Sequence, residues 1–262
     1  MKTIFITGAS SGIGKASAQF FHARGWYVIA TMRHPEKEKE LSQLEHVTLL
    51  PLDVTDIVQI KSTVSEAIAL RKVDVILNNA GYGLFGAMEA YTEEQIQRQI
   101  NTNFLGTVRV TQAFIPYFRE QQGGLFINIT SVGGNTGFPF GSMYNATKWA
   151  LEGWSECLSI ELAGFNIGVK TVAPDATKTD LFSRSFDLAK HPLYDAAVEK
   201  VLGTVEQTTL PEEIAAVIYE AATDEEDRLR YPAGRKAKGI LERRREIGAE
   251  EFRREVKRSF VK

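Results

Sequence analysis

Short apolar segments alternate along the chain with longer segments in which apolar residues recur at helical spacing. The short segments predict strands at 3–7, 26–32, 47–52, 73–77, 125–130, 167–173 and 229–232; the longer ones predict helices starting near residue 12 and covering 57–70, 92–121, 142–162 and 211–222. The strand at 73–77 is mostly apolar, which is typical of a parallel strand buried on both faces. The alternation predicts one α/β domain over residues 1–262, a doubly wound and mostly parallel sheet of about seven strands with helices on both faces.

Interruptions of this pattern predict features beyond the central sheet. The predicted helix at 92–121 begins with a capping-box sequence. Asn101 and Asn103 interrupt its apolar face, and they are either surface groups or a functional kink. Segment 180–205 mixes aromatic and polar residues without clean periodicity, which indicates a substrate lid with one or two short helices. An extra helix is predicted at about 237–259.

That C-terminal helix is strongly basic. Residues 235–262 contain eleven Lys and Arg against five Glu. We expect the helix to dock on the domain through its apolar stripe, and an anionic surface partner is the alternative.

The composition is that of an ordinary soluble protein. The 262 residues are 44% hydrophobic and 24% charged with a net charge of −2, which gives no global bias toward nucleic acid. A single cysteine, Cys157, excludes an internal disulfide and fits a cytoplasmic location. No apolar run is long enough to span a membrane, no signal peptide is recognisable, and the four histidines lack the spacing of a metal site.

The turn after the first strand carries three glycines, Gly8, Gly12 and Gly14, and leads directly into a helix. Strand, glycine turn and helix form the opening of a nucleotide-binding βαβ unit, in which backbone N–H groups at the helix N-terminus face a pyrophosphate. A plain turn that uses glycine for its positive φ is the alternative.

The end of the second strand bears on the choice of cofactor. An NAD site usually has an acidic residue there to accept a hydrogen bond from the ribose 2′-hydroxyl, but this chain has Arg33 and no acid before Glu36. Arg33 therefore favours a 2′-phosphate, although an arginine that merely ends the strand would look the same.

The candidate chemistry lies between Ser131 and Lys148. Tyr144 and Lys148 are four residues apart in a predicted helix, so the phenol and the ammonium lie on one face. A nearby cation favours the phenolate and is expected to move the pKa of Tyr144 from about 10 toward neutrality, where it can act as general acid or base. Ser131 follows the fifth strand, at the edge where ligands bind in open α/β sheets. A YxxxK pair by itself more often consists of ordinary surface or core residues than of catalytic ones.

Several motifs in this order resemble the short-chain dehydrogenase/reductase family over nearly the whole chain to about residue 232. They are TGASSGIG at 7–14, NNAG at 78–81, NTNFLG around Asn103, and Ser131 followed by YxxxK at Tyr144 and Lys148. The resemblance implies a Rossmann-type NAD(P)-binding fold and hydride transfer between a nicotinamide and a carbonyl or alcohol carbon. A weaker similarity, in ATMR after the second strand and RYPAG before the C-terminal helix, is to the branch with 17β-hydroxysteroid and retinol dehydrogenases.

The resemblance also implies a role for each catalytic residue. Tyr144 would exchange a proton with the substrate oxygen, and Ser131 would hydrogen-bond that oxygen. Lys148 would hold the nicotinamide ribose and bias the phenol toward ionisation. Asn103 would hold a water in a proton relay behind Lys148.

The same resemblance implies a set of cofactor-binding residues. They are Gly8, Ser10, Ser11, Gly12, Ile13, Gly14, Arg33, Asp53, Val54, Asn79, Ala80, Gly81, Tyr144, Lys148, Pro174, Thr177 and Thr179. One departure follows the sixth strand, where Asp175 stands in place of the usual glycine. If that position needs a positive φ, aspartate adopts it at some cost, and its carboxylate would lie near the nicotinamide.

The leading hypothesis is an oxidoreductase that prefers NADP(H), with NAD(H) as the alternative, and acts on the carbonyl or secondary alcohol of a hydrophobic small molecule. The expected pocket residues are Tyr82, Phe85, Phe138, Phe140, Met143 and the lid. The alternative hypotheses are a catalytically silent NAD(P)-sensing protein and an α/β methyltransferase. A sensor needs only the glycine turn, so the presence of Asn103, Ser131, Tyr144 and Lys148 argues against it. A methyltransferase usually has an acid after the second strand, and this chain has none there. The family resemblance further implies a homodimer or homotetramer.

Overall fold

The computed structural model describes residues 1–178 and 186–260 and builds that part of the chain around a seven-stranded sheet. The strands are β1 (Thr3–Thr7), β2 (Tyr27–Met32), β3 (Val47–Pro51), β4 (Val75–Asn78), β5 (Gly83–Gly86), β6 (Gly124–Ile129), β7 (Ile167–Pro174), β8 (Phe186–Ala189) and β9 (Arg230–Ala233). The main sheet has the order β3-β2-β1-β4-β6-β7-β9, and all its strand pairs are parallel. The order reverses between β1 and β4, and a crevice for ligands forms at such a switch point.

Helices cover both faces of the sheet, which confirms the doubly wound architecture. They are α1 (Gly12–His22), α2 (Ile57–Leu70), α3 (Glu93–Ile100), α4 (Gly106–Gln121), α5 (Ser142–Leu162), α6 (Asp195–Gly203), α7 (Pro211–Thr223), α8 (Ala237–Ile247) and α9 (Ala249–Phe260). Along β1, Ile4 and Ile6 face the core that contains Phe21 of α1, whereas Phe5 faces the core that contains Phe114 of α4. Alternate residues of a strand point to opposite faces, so a strand between two helical layers must be apolar on both. Within the described residues, no helix is both long and apolar enough to cross a membrane.

The predicted helix at 92–121 is interrupted by a π-helical segment, Asn101–Leu105. The Gly106 N–H bonds to the Asn101 carbonyl, five residues back, which widens the helix by one residue. Asn103 is only 1% exposed and points into the protein, where its amide contacts the backbone of Tyr82 through Oδ1 (3.0 Å) and Nδ2 (2.8 Å). The structure therefore agrees with a kink and not with a surface position for Asn103.

Two features of the described chain differ from the prediction. Strands β5 and β8 form a small parallel sheet that the sequence did not indicate, because four-residue segments carry little periodicity. The predicted single helix at about 237–259 is wrong in one respect, since it consists of α8 and α9 joined at Gly248. Gly248 has φ of +79°, a conformation that ends a helix readily in glycine.

Candidate active site

The glycine turn between β1 and α1 brings backbone close to backbone. Gly8 and Gly12 have φ of +68° and +54°, and a Cβ on Gly8 would lie 2.9 Å from the Cα of Ala80. A Cβ on Gly14 would overlap the carbonyl oxygen of Gly8, so Gly14 shapes the turn and does not line the cavity. Ser11, the N-cap residue of α1, makes no side-chain capping bond. Uncapped N–H groups at a helix N-terminus suit a phosphate, so this turn fits a dinucleotide.

Asn79 fastens the end of β4 to this turn. Its Nδ2 donates to the carbonyl oxygens of Thr7 (2.9 Å) and Gly8 (3.0 Å), while the Thr7 hydroxyl accepts from the N–H groups of Asn79 (2.9 Å) and Ala80 (3.0 Å). The NNAG motif thereby holds the two strand ends on either side of the switch point in a fixed relation.

Arg33 is exposed at the end of β2 and lines the same cavity. The acidic residues that follow it are engaged elsewhere, because Glu36 pairs with His34 (3.2 Å) and Glu38 pairs with Lys15 (3.3 Å). In the part of the chain that the structure describes, no ion pair involves Arg33. Its guanidinium can therefore meet an anionic group of a ligand.

Ser131, Tyr144 and Lys148 come together at the carboxyl ends of β6 and β7. The Ser131 hydroxyl accepts from the Gly133 N–H (3.0 Å) and lies within hydrogen-bonding reach of the Tyr144 phenol. Lys148 is 6% exposed, donates from Nζ to the Ile129 carbonyl oxygen (2.8 Å), and lies 5.8 Å from the centre of the Tyr144 ring. The spacing of YxxxK along α5 produces this juxtaposition.

The pKa values of this group differ from the prediction. Burial raises the pKa of Tyr144, and the hydrogen bond with Ser131 only partly opposes this. Burial also lowers the pKa of Lys148 to about 8, although the nearby Glu152 acts to raise it. The predicted shift of the phenol toward neutrality is therefore wrong for the protein groups alone, since burial disfavours the charged phenolate more than the Ser131 hydrogen bond favours it.

A continuous cavity of about 930 Å³ connects the glycine turn with Tyr144. The predicted residues that line it are Gly8, Ser10, Ser11, Gly12, Ile13, Arg33, Asp53, Val54, Asn79, Ala80, Gly81, Ser131, Tyr144, Lys148, Pro174 and Thr177. Asn103 and Gly14 lie behind the lining, and Thr179 is outside the described residues. Within the described residues, no cluster of His, Cys, Asp and Glu could hold a metal ion.

Aromatic residues form the wall beside the phenol. Phe85 stacks on Tyr144 (5.5 Å between ring centres) and also on Phe186 of β8 (4.8 Å). Phe85, Tyr82 and Phe138 line the cavity as predicted, whereas Phe140 and Met143 do not.

Part of this wall comes from the segment predicted as a lid, which contributes Phe186, Asp187, Val201, Leu202 and Val205. The sequence did not identify the other residues, which are Arg98, Lys236, Ile240 and Phe260. Asp187 of β8 is held by α3, since it accepts from Gln95 Nε2 (2.9 Å) and pairs with Arg98. The apolar stripe of the C-terminal region was the available signal for Ile240 and Phe260.

Comparison with known proteins agrees with this geometry. The family model described as short chain dehydrogenase matches residues 2–189. The chain belongs to the short-chain dehydrogenase family. A relative from Bacillus subtilis, the uncharacterized oxidoreductase YusZ, is 37% identical over 257 residues, which cover 92% of this chain and 91% of that protein.

Solved structures of similar proteins match nearly the whole of this short-chain dehydrogenase. A short-chain dehydrogenase from Streptomyces avermitilis has a TM-score of 0.87 at 35% identity, covering 98% of this chain and 97% of its own. ElxO, solved with NADP bound, has a TM-score of 0.75 at 27% identity and covers 88% and 97%. These matches establish a Rossmann-type oxidoreductase that uses a nicotinamide cofactor.

Proposed function

We propose that this short-chain dehydrogenase prefers NADP(H), with NAD(H) as the alternative, and interconverts a carbonyl and a secondary alcohol on a hydrophobic small molecule. The observation that carries the proposal is the meeting of Ser131, Tyr144 and Lys148 in the cavity that begins at the glycine turn. A bound nicotinamide supplies or accepts the hydride. The protein supplies the proton, the orientation and the exclusion of water.

Tyr144 donates its phenolic proton to the carbonyl oxygen in reduction and removes it from the alcohol in oxidation. Its raised pKa keeps the phenol protonated in the protein alone, which suits the acid role in reduction. The Ser131 hydroxyl, held by the Gly133 N–H, orients the same substrate oxygen.

Lys148 holds the cofactor ribose and stabilises negative charge as it develops on the Tyr144 oxygen. Its Nζ uses one donor on Ile129, and an ammonium has three. Asn103 acts behind this group. Its side-chain oxygen accepts from the Tyr82 N–H, and its side-chain nitrogen donates to the Tyr82 carbonyl oxygen. Because the side chain is engaged in this way, we place the relay water at the backbone of the π-helical segment.

The NADP(H) preference is supported by the end of β2. Arg33 faces the cavity, and the neighbouring carboxylates of Glu36 and Glu38 are already paired. The NADP bound to the related ElxO is consistent with this choice. The hydrophobic substrate is supported by the aromatic wall of Phe85, Phe138 and Phe186.

The catalytic proposal is tested with Tyr144→Phe. We expect a loss of turnover of at least about hundredfold, the contribution typical of a general acid, with NADPH binding retained. Tyr219→Phe, on the opposite side of the sheet at α7, is the matched control and should keep full activity. Full turnover by Tyr144→Phe would refute the mechanism. Binding of NADPH without oxidation of it by any aldehyde or ketone would favour the silent sensing protein instead.

The cofactor proposal is tested with Arg33→Ala. The loss of a charge-assisted contact should reduce the NADPH over NADH preference in kcat/KM by about tenfold or more. Arg119→Ala, exposed on α4, is the control. An unchanged preference would remove Arg33 from the cofactor site.

We further propose that residues 1–262 act as one domain, with the lid at about 180–205 and the C-terminal helices completing the site. The described part of the lid, β8 and α6, contributes Phe186 and Leu202 to the cavity. Cytoplasmic location and assembly as a homodimer or homotetramer stay predictions.

A further inference from the structure

Asp175, the first residue after β7, makes a side-chain contact that a glycine at this position could not make. It is not among the described residues with positive φ. Its N–H donates to the Ala233 carbonyl oxygen (3.0 Å), and its Oδ2 accepts from the N–H of Lys236 (2.6 Å). Gly234 has φ of +106°, and a Cβ there would overlap the Asp175 carboxylate. The carboxylate therefore fills the bend between β9 and α8.

At this position the carboxylate caps α8 from outside. Lys236 is the N-cap residue of α8 and makes no side-chain capping bond, and the Asp175 oxygen accepts from its N–H, the donor that a capping-box side chain at the third helical position would otherwise satisfy. A negative charge at a helix N-terminus also interacts favourably with the helix dipole. Two further contacts hold the same bend: Arg235 N–H with the Thr209 hydroxyl (3.1 Å) and Lys236 Nζ with Glu206 (2.6 Å).

The helices anchored in this way contribute to the cavity wall. Ile240 of α8 and Phe260 of α9 line the same cavity as Tyr144, together with Leu202 of α6. Arg243 of α8 pairs with Glu255 of α9 (2.6 Å), so an ion pair links the two helices. The position of Asp175 is thus coupled to the position of an apolar surface that a substrate can contact.

Two cations on this part of the wall are already paired with carboxylates of the protein. Lys236 pairs with Glu206, and Arg98 pairs with Asp187. Asp175 also lines the cavity, and its Oδ1 is buried without a hydrogen-bond partner, so among the described residues this wall offers no free cation to an anionic end group of a ligand. The apolar side chains between these groups suit a hydrocarbon chain.

We infer that Asp175 is a positioning residue that holds α8 and α9 against the active site, and that the substrate is a long-chain carbonyl or alcohol whose apolar chain reaches Ile240 and Phe260. The substrate part of this inference rests on the proposed function. The anchoring part does not, because it concerns contacts within the protein. Each methylene of the chain buried against this wall should raise kcat/KM by about fourfold.

The test compares Asp175→Ala with Asp227→Ala, an exposed aspartate before β9 that serves as the matched control. Hydrogen exchange read by mass spectrometry reports the anchoring without substrate. Loss of a charged hydrogen-bond acceptor should make the amides of 236–247 exchange about tenfold faster or more in Asp175→Ala, and not in the control. Thermal unfolding of both variants checks that the remaining fold is intact.

The substrate class is tested with NADPH and straight-chain methyl ketones of increasing length. In the unmodified protein kcat/KM should rise with length, and in Asp175→Ala the ratio of the longest to the shortest ketone should fall at least about tenfold. Phe260→Ala, at the end of α9, should lower the same ratio without faster exchange at the start of α8.

Unchanged exchange in Asp175→Ala would overturn the anchoring role, and an equal loss for short and long ketones would overturn the proposed wall. If no ketone is reduced even by the unmodified protein, the proposed function and the substrate class fail together. Faster exchange at 236–247 in that case would still support the anchoring role of Asp175.

Discussion

Replacing Lys148 with methionine should change the pH dependence of stability in a way that follows from its burial. Lys148 is 6% exposed, and its pKa is lowered from 10.5 to about 8. Methionine has a similar length and no charge, so it removes the titration while it fills much the same space. The hydrogen bond to Ile129 is lost at every pH and contributes only a constant difference.

The sign follows from the two pKa values. Below pH 8 the lysine is protonated in both the folded and the unfolded chain, and the folded state bears the full cost of burying the cation. Between pH 8 and 10.5 the folded chain releases the proton while the unfolded chain keeps it, so stability rises with pH. The difference between 10.5 and about 8, at about 1.4 kcal/mol per pKa unit, gives a total of about 3 kcal/mol.

The assay is urea unfolding of the unmodified protein and of Lys148→Met at a series of pH values. From pH 7 to pH 9 we expect the free energy of unfolding of the unmodified protein to rise by about 1.3 kcal/mol relative to the variant. Groups that titrate in both proteins cancel in this difference. A difference that is independent of pH over this range would refute the assignment of a buried ammonium with a lowered pKa.

Two further predictions concern groups packed around this lysine. Glu152 is 4% exposed and raises the pKa of Lys148, so Glu152→Gln should lower the pKa of Lys148 further. The alkaline limb of the pH profile of carbonyl reduction should then move to lower pH. An alkaline limb that does not move would contradict this prediction. A Cβ on Gly134 would lie 2.9 Å from the Lys148 carbonyl oxygen, so Gly134→Ala should cost about 1–3 kcal/mol of stability and reduce turnover. Gly137→Ala points into open space and is the control; equal melting temperatures for both variants would count against a close approach at Gly134.

Local sequence determined the order and type of most elements. α2 and α5 begin and end at the residues predicted, 57–70 and 142–162, because apolar spacing is a local property and, in α2, the Asp56 side chain caps the first turn. Residue spacing also sufficed to place Tyr144 and Lys148 on one helix face, and strand ends sufficed to bring Ser131 to the same edge of the sheet. These features depend on a few neighbouring residues.

Tertiary structure decided what depends on distant residues. The small sheet pairs β5 with β8, which lie about a hundred residues apart in the chain, so no local sequence pattern predicts it. Likewise, the raised pKa of Tyr144 depends on burial by the assembled fold, and the effect of Asp175 depends on a bond to Lys236. The sequence alone thus determined which side chains meet at the candidate site, while the shape of the wall around them was decided by packing, which sums contacts across the whole chain.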